Sequence, residues 1–305
     1  MGSSSWSNDA FDKLRANHST KSKAQIFSNL TLDIDLSPRG VQFRESRDSE
    51  AHPDSLAIAV FLDETGSMGM IPEVLVREKL GALMTTLIAH SVPDAHVLFG
   101  GIGDHYSDQA PLQVGQFEAG TTELNQWLTK IYLEGNGGGQ CKESYLLAWL
   151  FAARHTSIDC FEKRGEKGFL FTIGDEANWD KLESNRLKDL MGYEFGEDVS
   201  ADQLLSEAQR MYHVFHLHIN ETGYRNNPTI INGWRQQLGE RLLIVEDHQT
   251  IAETIASTVA VVRGASLDKV VASFDKATAK KVTQSLIKLG SNVPARKRLG
   301  GIFKL

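Results

Sequence analysis

The chain has 305 residues, 41% of them hydrophobic and 23% charged, with a net charge of −7. That composition is ordinary for a globular protein and excludes a fibrous, low-complexity or uniformly cationic one. Two cysteines, Cys141 and Cys160, exclude a disulfide framework and a Cys-x-x-Cys metal knuckle, so a reducing, cytoplasmic setting is expected.

The charge is unevenly spread. From Arg263 onward there are ten Lys/Arg and two Asp, a segment of +8 that leaves −15 for the rest. Such a tail reads either as a solvated amphipathic extension or as a docking arm for nucleic acid or an acidic partner. The opening Met-Gly-Ser-Ser-Ser-Trp has no basic region followed by an apolar core, so no secretory signal is expected. No apolar run approaches about 18 residues, so no membrane span is expected.

Residues 1–24 are polar and are expected to be flexible. Leu30-Thr-Leu-Asp-Ile-Asp-Leu36 alternates as a half-buried strand would, Ser37-Pro-Arg-Gly40 carries turn chemistry, and Val41-Gln-Phe43 returns. A β-hairpin and charged linker over 25–54 is the expectation. Leu56-Ala-Ile-Ala-Val-Phe-Leu-Asp63 is an unbroken apolar run ending in an acid, the pattern of a parallel strand buried on both faces. A helical pattern follows from about Pro72 to Ile88. Val97–Gly103 is a second strand, with Asp104 and Asp108 after it. Leu112–Phe117 reads as a short antiparallel edge, and a helix opens at Thr121.

A glycine-rich loop, Glu134-Gly-Asn-Gly-Gly-Gly-Gln-Cys-Lys-Glu143, leads into the helix 144–154. It lacks Gly-Lys-Ser/Thr and is therefore no phosphate-cradling P-loop. Gly168–Gly174 is a buried strand ending in Asp175 and Glu176. A helix begins at the Ser200-x-x-Gln203 capping box, then come strands at Tyr212–Ile219 and Arg241–Val245, and a helix from Thr250 to Val262. Two helical stretches, about 267–273 and 276–288, precede Arg296-Lys-Arg298. Strands alternating with helices give an α/β fold, a doubly wound, mostly parallel six-stranded sheet over 55–264, with a helical extension over 265–305.

Chemistry gathers at strand ends. Asp63, Thr65 and Ser67 place oxygens at alternate positions where open α/β sheets bind ligands, and hard oxygens suit Mg²⁺, Mn²⁺ or Ca²⁺. Thr65 and Ser67 could instead cap the following helix, but that leaves Asp63 and Asp175 unexplained. His213, His216 and His218 lie on one strand, the last two on one face, without a matching acid, and read as packed or solvated side chains rather than a zinc set. Cys141 beside the glycine loop reads as a small buried thiol rather than a reactive one. Asp104 and Asp108 are either solvated loop acids or an auxiliary cation site.

Asp-x-Thr-x-Ser at 63–67, on a buried strand before a long helix, with Ile173-Gly-Asp175-Glu at a later strand end, resembles a von Willebrand factor A domain with its metal-ion-dependent adhesion site. The resemblance spans about 56–263. It implies that Asp63, Thr65 and Ser67 ligate the cation and that Asp175 completes the cage. The family's usual loop threonine is missing here. Glu143 stands in the corresponding loop, as in the integrin β-subunit style of domain, and so is implied as a ligand; otherwise it is a negative charge at a helix start.

The expected function is a cation-dependent binding module, not an enzyme, whose metal takes an Asp or Glu from a partner protein. The resemblance also implies adaptor or assembly roles, at times beside an AAA+ ATPase. A Mg²⁺-dependent phosphoryl hydrolase is the competing idea, but a dehalogenase-type phosphatase needs an acid where Thr65 stands.

Overall fold

A computed structural model describes residues 4–66, 68–135 and 141–290. Its strands run from β1 (Arg44–Ser46) into β2 (Leu56–Asp63), β3 (Ala95–Ile102) and β4 (Leu112–Val114). Short β5 (Lys142–Glu143) and β6 (Thr156–Ile158) lead to β7 (Gly168–Gly174). The short strands β8 (Ala177–Asn178), β9 (Lys181–Leu182) and β10 (Val199–Ser200) precede β11 (Tyr212–Ile219) and β12 (Leu242–Val245). Six of these strands form one sheet in the order β12-β11-β7-β2-β3-β4. Neighbours are parallel except β4, which runs antiparallel to β3 at the edge. Every residue of β2, β3 and β7 is buried, as their unbroken apolar runs require.

The helices are α1 (Asn8–Ser19), α2 (Lys23–Ile26), α3 (Met70–Val74), α4 (Leu80–Ala89), α5 (Thr121–Lys130), α6 (Leu146–Arg154) and α7 (Asp159–Glu162). They continue with α8 (Ser184–Met191), α9 (Ala201–Met211), α10 (Pro228–Leu238), α11 (Ile251–Val262), α12 (Leu267–Val271) and α13 (Lys276–Gly290). α3 and α4 are one helical path interrupted by a π turn at Leu75–Lys79. α4 packs with α11, and α6 with α9. α12 and α13 lie outside α11, which explains why its residues from Ile251 to Val261 are all buried. The basic Arg296–Arg298 lies outside the described residues.

The strand order places the site. From β2 the chain steps to β3 and β4 on one side, then returns to β7, β11 and β12 on the other. The reversal falls between β2 and β7, which are hydrogen-bonded neighbours in register Leu62↔Ile173. Their carboxyl ends, Asp63 and Asp175, therefore flank the crevice where an open α/β sheet receives ligands.

Two expectations for the N-terminal segment are corrected. Residues 8–19, expected to be mobile, form α1. Its Phe11 is 5% exposed and lies against Gly81 of α4, where a Cβ would come within 2.7 Å of the ring. Arg77, in the π turn, donates to the carbonyls of His18 and, at 2.7 Å, Lys21. His18 Nε2 meets Asn125 Oδ1 at 2.8 Å. The expected hairpin over 30–43 does not form either. Asp33 accepts from the Asp35 amide at 2.9 Å and caps a 3₁₀ turn over Ile34–Leu36, so local side-chain bonding outcompetes the ladder. Leu30 and Ile34 face solvent at 84% and 85% exposure while Leu32 and Leu36 pack inward, so the alternating residues do not share one face. The strand that does form, β1, pairs in parallel with β6.

β1 is tied down by a buried carboxylate. Asp159, 1% exposed, accepts from Arg47 Nη1 at 2.9 Å, Lys163 Nζ at 2.6 Å and the Asp48 amide at 2.8 Å. Burial alone would raise its pKa, but the bonds from Lys163, the Asp48 amide and Arg47 hold it at about 2. A depressed carboxylate stabilises the fold above its unfolded pKa, and that contribution disappears as the pH falls through about 4 towards 2. Screening of the half-exposed cations limits it to about 1–2 kcal/mol. Asp159→Asn should lower stability by that amount at pH 7 and flatten the decline between pH 5 and 2, measured by urea denaturation at each pH. Phe11→Ala should destabilise the whole domain by about 3 kcal/mol, because the ring fills a core contact. An unchanged urea midpoint would mean that α1 is not part of the folding unit.

Candidate metal centre

The site begins at the end of β2. Asp63 is 1% exposed. Its Oδ1 accepts from the Thr65 amide at 2.9 Å and from Thr65 Oγ1 at 2.6 Å, and its Oδ2 accepts from the Tyr145 hydroxyl at 2.8 Å. The amides of Met68 and Gly69 donate to the Thr65 carbonyl, which turns the chain tightly into α3. Ser67 lies outside the described residues, as does the glycine-loop segment 136–140.

Glu143 reaches the same place from another direction. It sits on β5, which pairs in parallel with β8 just beyond Asp175, in register Glu143↔Asn178. Glu143 is buried, and its Oε2 has no hydrogen-bond partner among the described residues. Asp175 is fully buried at the end of β7. The structure thus brings Asp63, Thr65, Glu143 and Asp175 to one edge.

The electrostatics are those of crowded carboxylates. Burial pushes Asp63 up to about 7 against the Thr65 bonds that lower it, with Asp175 adding to the rise. Glu143 is pushed up to about 11, first by burial and then by Asp63 and Glu176. Glu176 is raised to about 7 by burial, Asp63 and Asp175. The leading charges acting on all three are other carboxylates, not lysine or arginine. Among the described residues, the only group of three His, Cys, Asp or Glu with ligand atoms all within 4.8 Å of one another is Glu221, Asp247 and His248. That set is already paired. Asp247 binds Lys281 at 2.5 Å, and Glu221 accepts from His248 at 2.7 Å.

The donor chemistry at the sheet edge fits a hard divalent cation: buried oxygens, clustered carboxylates and a carboxylate oxygen with no partner among the described residues. Such an ion would be held by Asp63, Thr65, Glu143 and Asp175. It would offset the burial and the carboxylate repulsion that raise the proton affinity of Asp63 and Glu143.

The remaining candidates fall elsewhere. Asp104 accepts from Trp179 Nε1 at 2.9 Å and from Ser107 Oγ at 3.0 Å, and Asp108 accepts from the Asp104 amide at 2.7 Å. Both acids organise the loop after β3. His216 stacks on Trp234 at 3.6 Å and its Nδ1 meets Thr172 Oγ1 at 2.9 Å. Burial holds His213 and His218 at about 4, so both stay neutral at pH 7, and it lowers His216 as well. Cys141, expected to be buried, is exposed, and its Sγ accepts from the Tyr224 hydroxyl at 3.1 Å; Cys160 is buried.

Two residues escaped the sequence. Tyr145 bonds Asp63 from the start of α6, and only its place two residues after Glu143 hints at a shared face. Glu64 folds inward, accepts from Gln113 and fills the space over Gly101, where a Cβ would collide with it. Its pKa is raised well above the usual range by burial and by Asp63. An acid between two site residues reads as solvated, and nothing in the sequence marks it as buried.

No family model matches the chain, and no curated protein matches it. Solved structures do. A pilus adhesin, SpaC from Lactobacillus rhamnosus GG, is 8% identical over 70% of this chain and 31% of its own, with a TM-score of 0.45. A von Willebrand factor type A structure from Catenulispora acidiphila is 14% identical over 68% and 42%, with a TM-score of 0.39. The proximal thread matrix protein 1 of the mussel byssus, with a zinc-occupied MIDAS motif, is 9% identical over 68% and 45%, at 0.43. The chain thus spans 31% to 45% of the length of these structures. The central sheet, its strand order with one antiparallel edge, and the Asp63 and Asp175 strand ends at the switch point give the α/β architecture that the resemblance of the sequence to a von Willebrand factor A domain implies.

Proposed function

We propose that the chain is a divalent-cation-dependent protein-binding module, not an enzyme. Mg²⁺ is the first candidate, with Mn²⁺ and Ca²⁺ as alternatives, held by Asp63, Thr65, Ser67, Glu143 and Asp175. A remaining coordination position would accept an Asp or Glu of a partner protein. One observation carries this reading: carboxylates buried together at the sheet's switch point, with no partner for Glu143 Oε2 among the described residues and no basic side chain among the leading charges on Asp63 and Glu143. Leaving such a cluster uncompensated is costly, so the fold is built for a cation.

Three carboxylates neutralise the cation more fully than two, so the ion should be held firmly and the partner's acid attracted only moderately. The two unpaired cysteines support a cytoplasmic setting. No described helix is long and apolar enough to cross a membrane. The resemblance to intracellular von Willebrand factor A proteins makes an AAA+ ATPase one partner to test. A basic tail docking on nucleic acid is a separate possibility that deletion of 264–305 would address.

Glu143→Gln removes a repelled buried acid while keeping its shape. In chelated buffer it should raise the melting temperature by about 2–4 °C, the shift that ~1 kcal/mol produces in a domain of this size. With 5 mM MgCl₂, an order-of-magnitude excess over a sub-millimolar Kd, the wild type should gain a further rise that the variant and Asp63→Ala lack. Equal responses from all three would remove the metal assignment. For recognition, immobilised protein should lose its partner in EDTA and on Asp175→Ala. A partner retained through both would leave at most a structural cation.

A further inference from the structure

We infer that Tyr145 is the positioning residue that holds Asp63 in the geometry required by a small octahedral cation, and so sets the preference of the site for Mg²⁺ over Ca²⁺. This rests on the cation reading above and extends it to a residue outside the ligand set.

Tyr145 is fully buried and its hydroxyl donates to Asp63 Oδ2 at 2.8 Å. A carboxylate has about four lone-pair positions. Thr65 occupies two on Oδ1 and Tyr145 one on Oδ2, which leaves Asp63 a single direction in which to face an ion. The phenol is fixed from every side. Gly174, the residue before Asp175, makes room for it, since a Cβ there would collide with the Tyr145 hydroxyl. The ring packs edge-on against His216 at 4.9 Å and Trp234 at 5.3 Å. Trp234 in turn donates to the Glu176 carbonyl at 2.9 Å, next to Asp175.

The backbone around Tyr145 is clamped as well. Ser144 Oγ accepts from the His105 amide at 2.9 Å and meets His105 Nδ1 at 2.6 Å. The Leu146 amide donates to Asn178 Oδ1 at 3.1 Å, and Asn178 is the register partner of Glu143. One buried phenol therefore touches Asp63, abuts the residue before Asp175, and sits on a turn continuous with Glu143. It sets the spacing among three ligand-bearing strand ends.

Rigid spacing matters for selectivity. Mg²⁺ demands near-ideal octahedral geometry at 2.0–2.1 Å, roughly, whereas Ca²⁺ accepts longer and more irregular bonds. Removing the hydroxyl frees Asp63 to swing, which penalises the smaller ion more.

The test titrates the full chain calorimetrically with MgCl₂ alone and CaCl₂ alone, for wild type, Tyr145→Phe and Tyr212→Phe. Tyr212 is an equally buried tyrosine, at the far end of β11, whose hydroxyl meets Thr156 Oγ1 at 2.7 Å. It serves as a matched loss of a buried phenol bond away from the site. Tyr145→Phe should lose about 10–100-fold in Mg²⁺ affinity, the usual effect of removing a partner that orients a ligand, and several-fold less in Ca²⁺ affinity. Tyr212→Phe should keep both affinities while losing similar thermal stability in chelated buffer. An unchanged Mg²⁺ to Ca²⁺ ratio in Tyr145→Phe, or the same change in Tyr212→Phe, overturns the assignment. Absence of cation binding by the wild type itself overturns the site, a result distinct from either variant outcome.

Discussion

Buried like charges at the edge of a parallel sheet are the constraint on which this structure turns. Asp63 and Asp175 stand at the ends of adjacent strands, and Glu143 joins them from the short β5, which pairs with β8 just beyond Asp175. Burial raises the proton affinity of Asp63 and Glu143, and neighbouring carboxylates add to the rise, against the Thr65 and Tyr145 hydrogen bonds that lower Asp63. A fold retains such an arrangement at a loss of stability, which is characteristic of a functional site rather than of a core.

Much of the surrounding architecture serves to hold that edge. The sheet reverses direction at β2 and β7, so two strand ends converge without a loop having to bridge them. Hydrogen bonds from Thr65 and Tyr145 fix the Asp63 carboxylate, and the Ser144 and Asn178 contacts fix the turn that carries Tyr145 and Glu143. The aromatic stack of Tyr145, His216 and Trp234 lies directly behind. Two histidines that sequence spacing makes look available are thereby spent on packing. The loop acids Asp104 and Asp108 are likewise spent on closing their own turn and on Trp179.

The N-terminal region follows a different logic. Its apolar residues are sparse, and α1 docks through Phe11 and a set of polar contacts centred on Arg77 in the π turn of the helix that follows the site. The segment over 30–43 has strand-like alternation, yet Asp33 bends it into a 3₁₀ turn. Alternation alone cannot make a strand without a partner edge. β6 offers its edge to Arg44–Ser46 instead.

Sequence by itself determined the central strands, because unbroken apolar runs such as Leu56–Leu62 and Gly168–Gly174 have few other places to go than a sheet buried on both faces. It also determined Asp63, Thr65 and Asp175 as strand-end oxygens, since their positions follow from where those runs stop. Local signals such as the Ser200 cap were equally legible, with Ser200 accepting from the Gln203 amide. Only the tertiary structure decided which acids meet, because the order β11-β7-β2-β3 depends on crossover connections and not on any local pattern. It alone turned Glu64 inward over Gly101 and set the Tyr145 hydroxyl against Asp63 across 82 residues of chain. Hydrophobic periodicity is a property of neighbours along the chain, whereas a buried hydrogen bond between distant residues exists only once the core between them has closed.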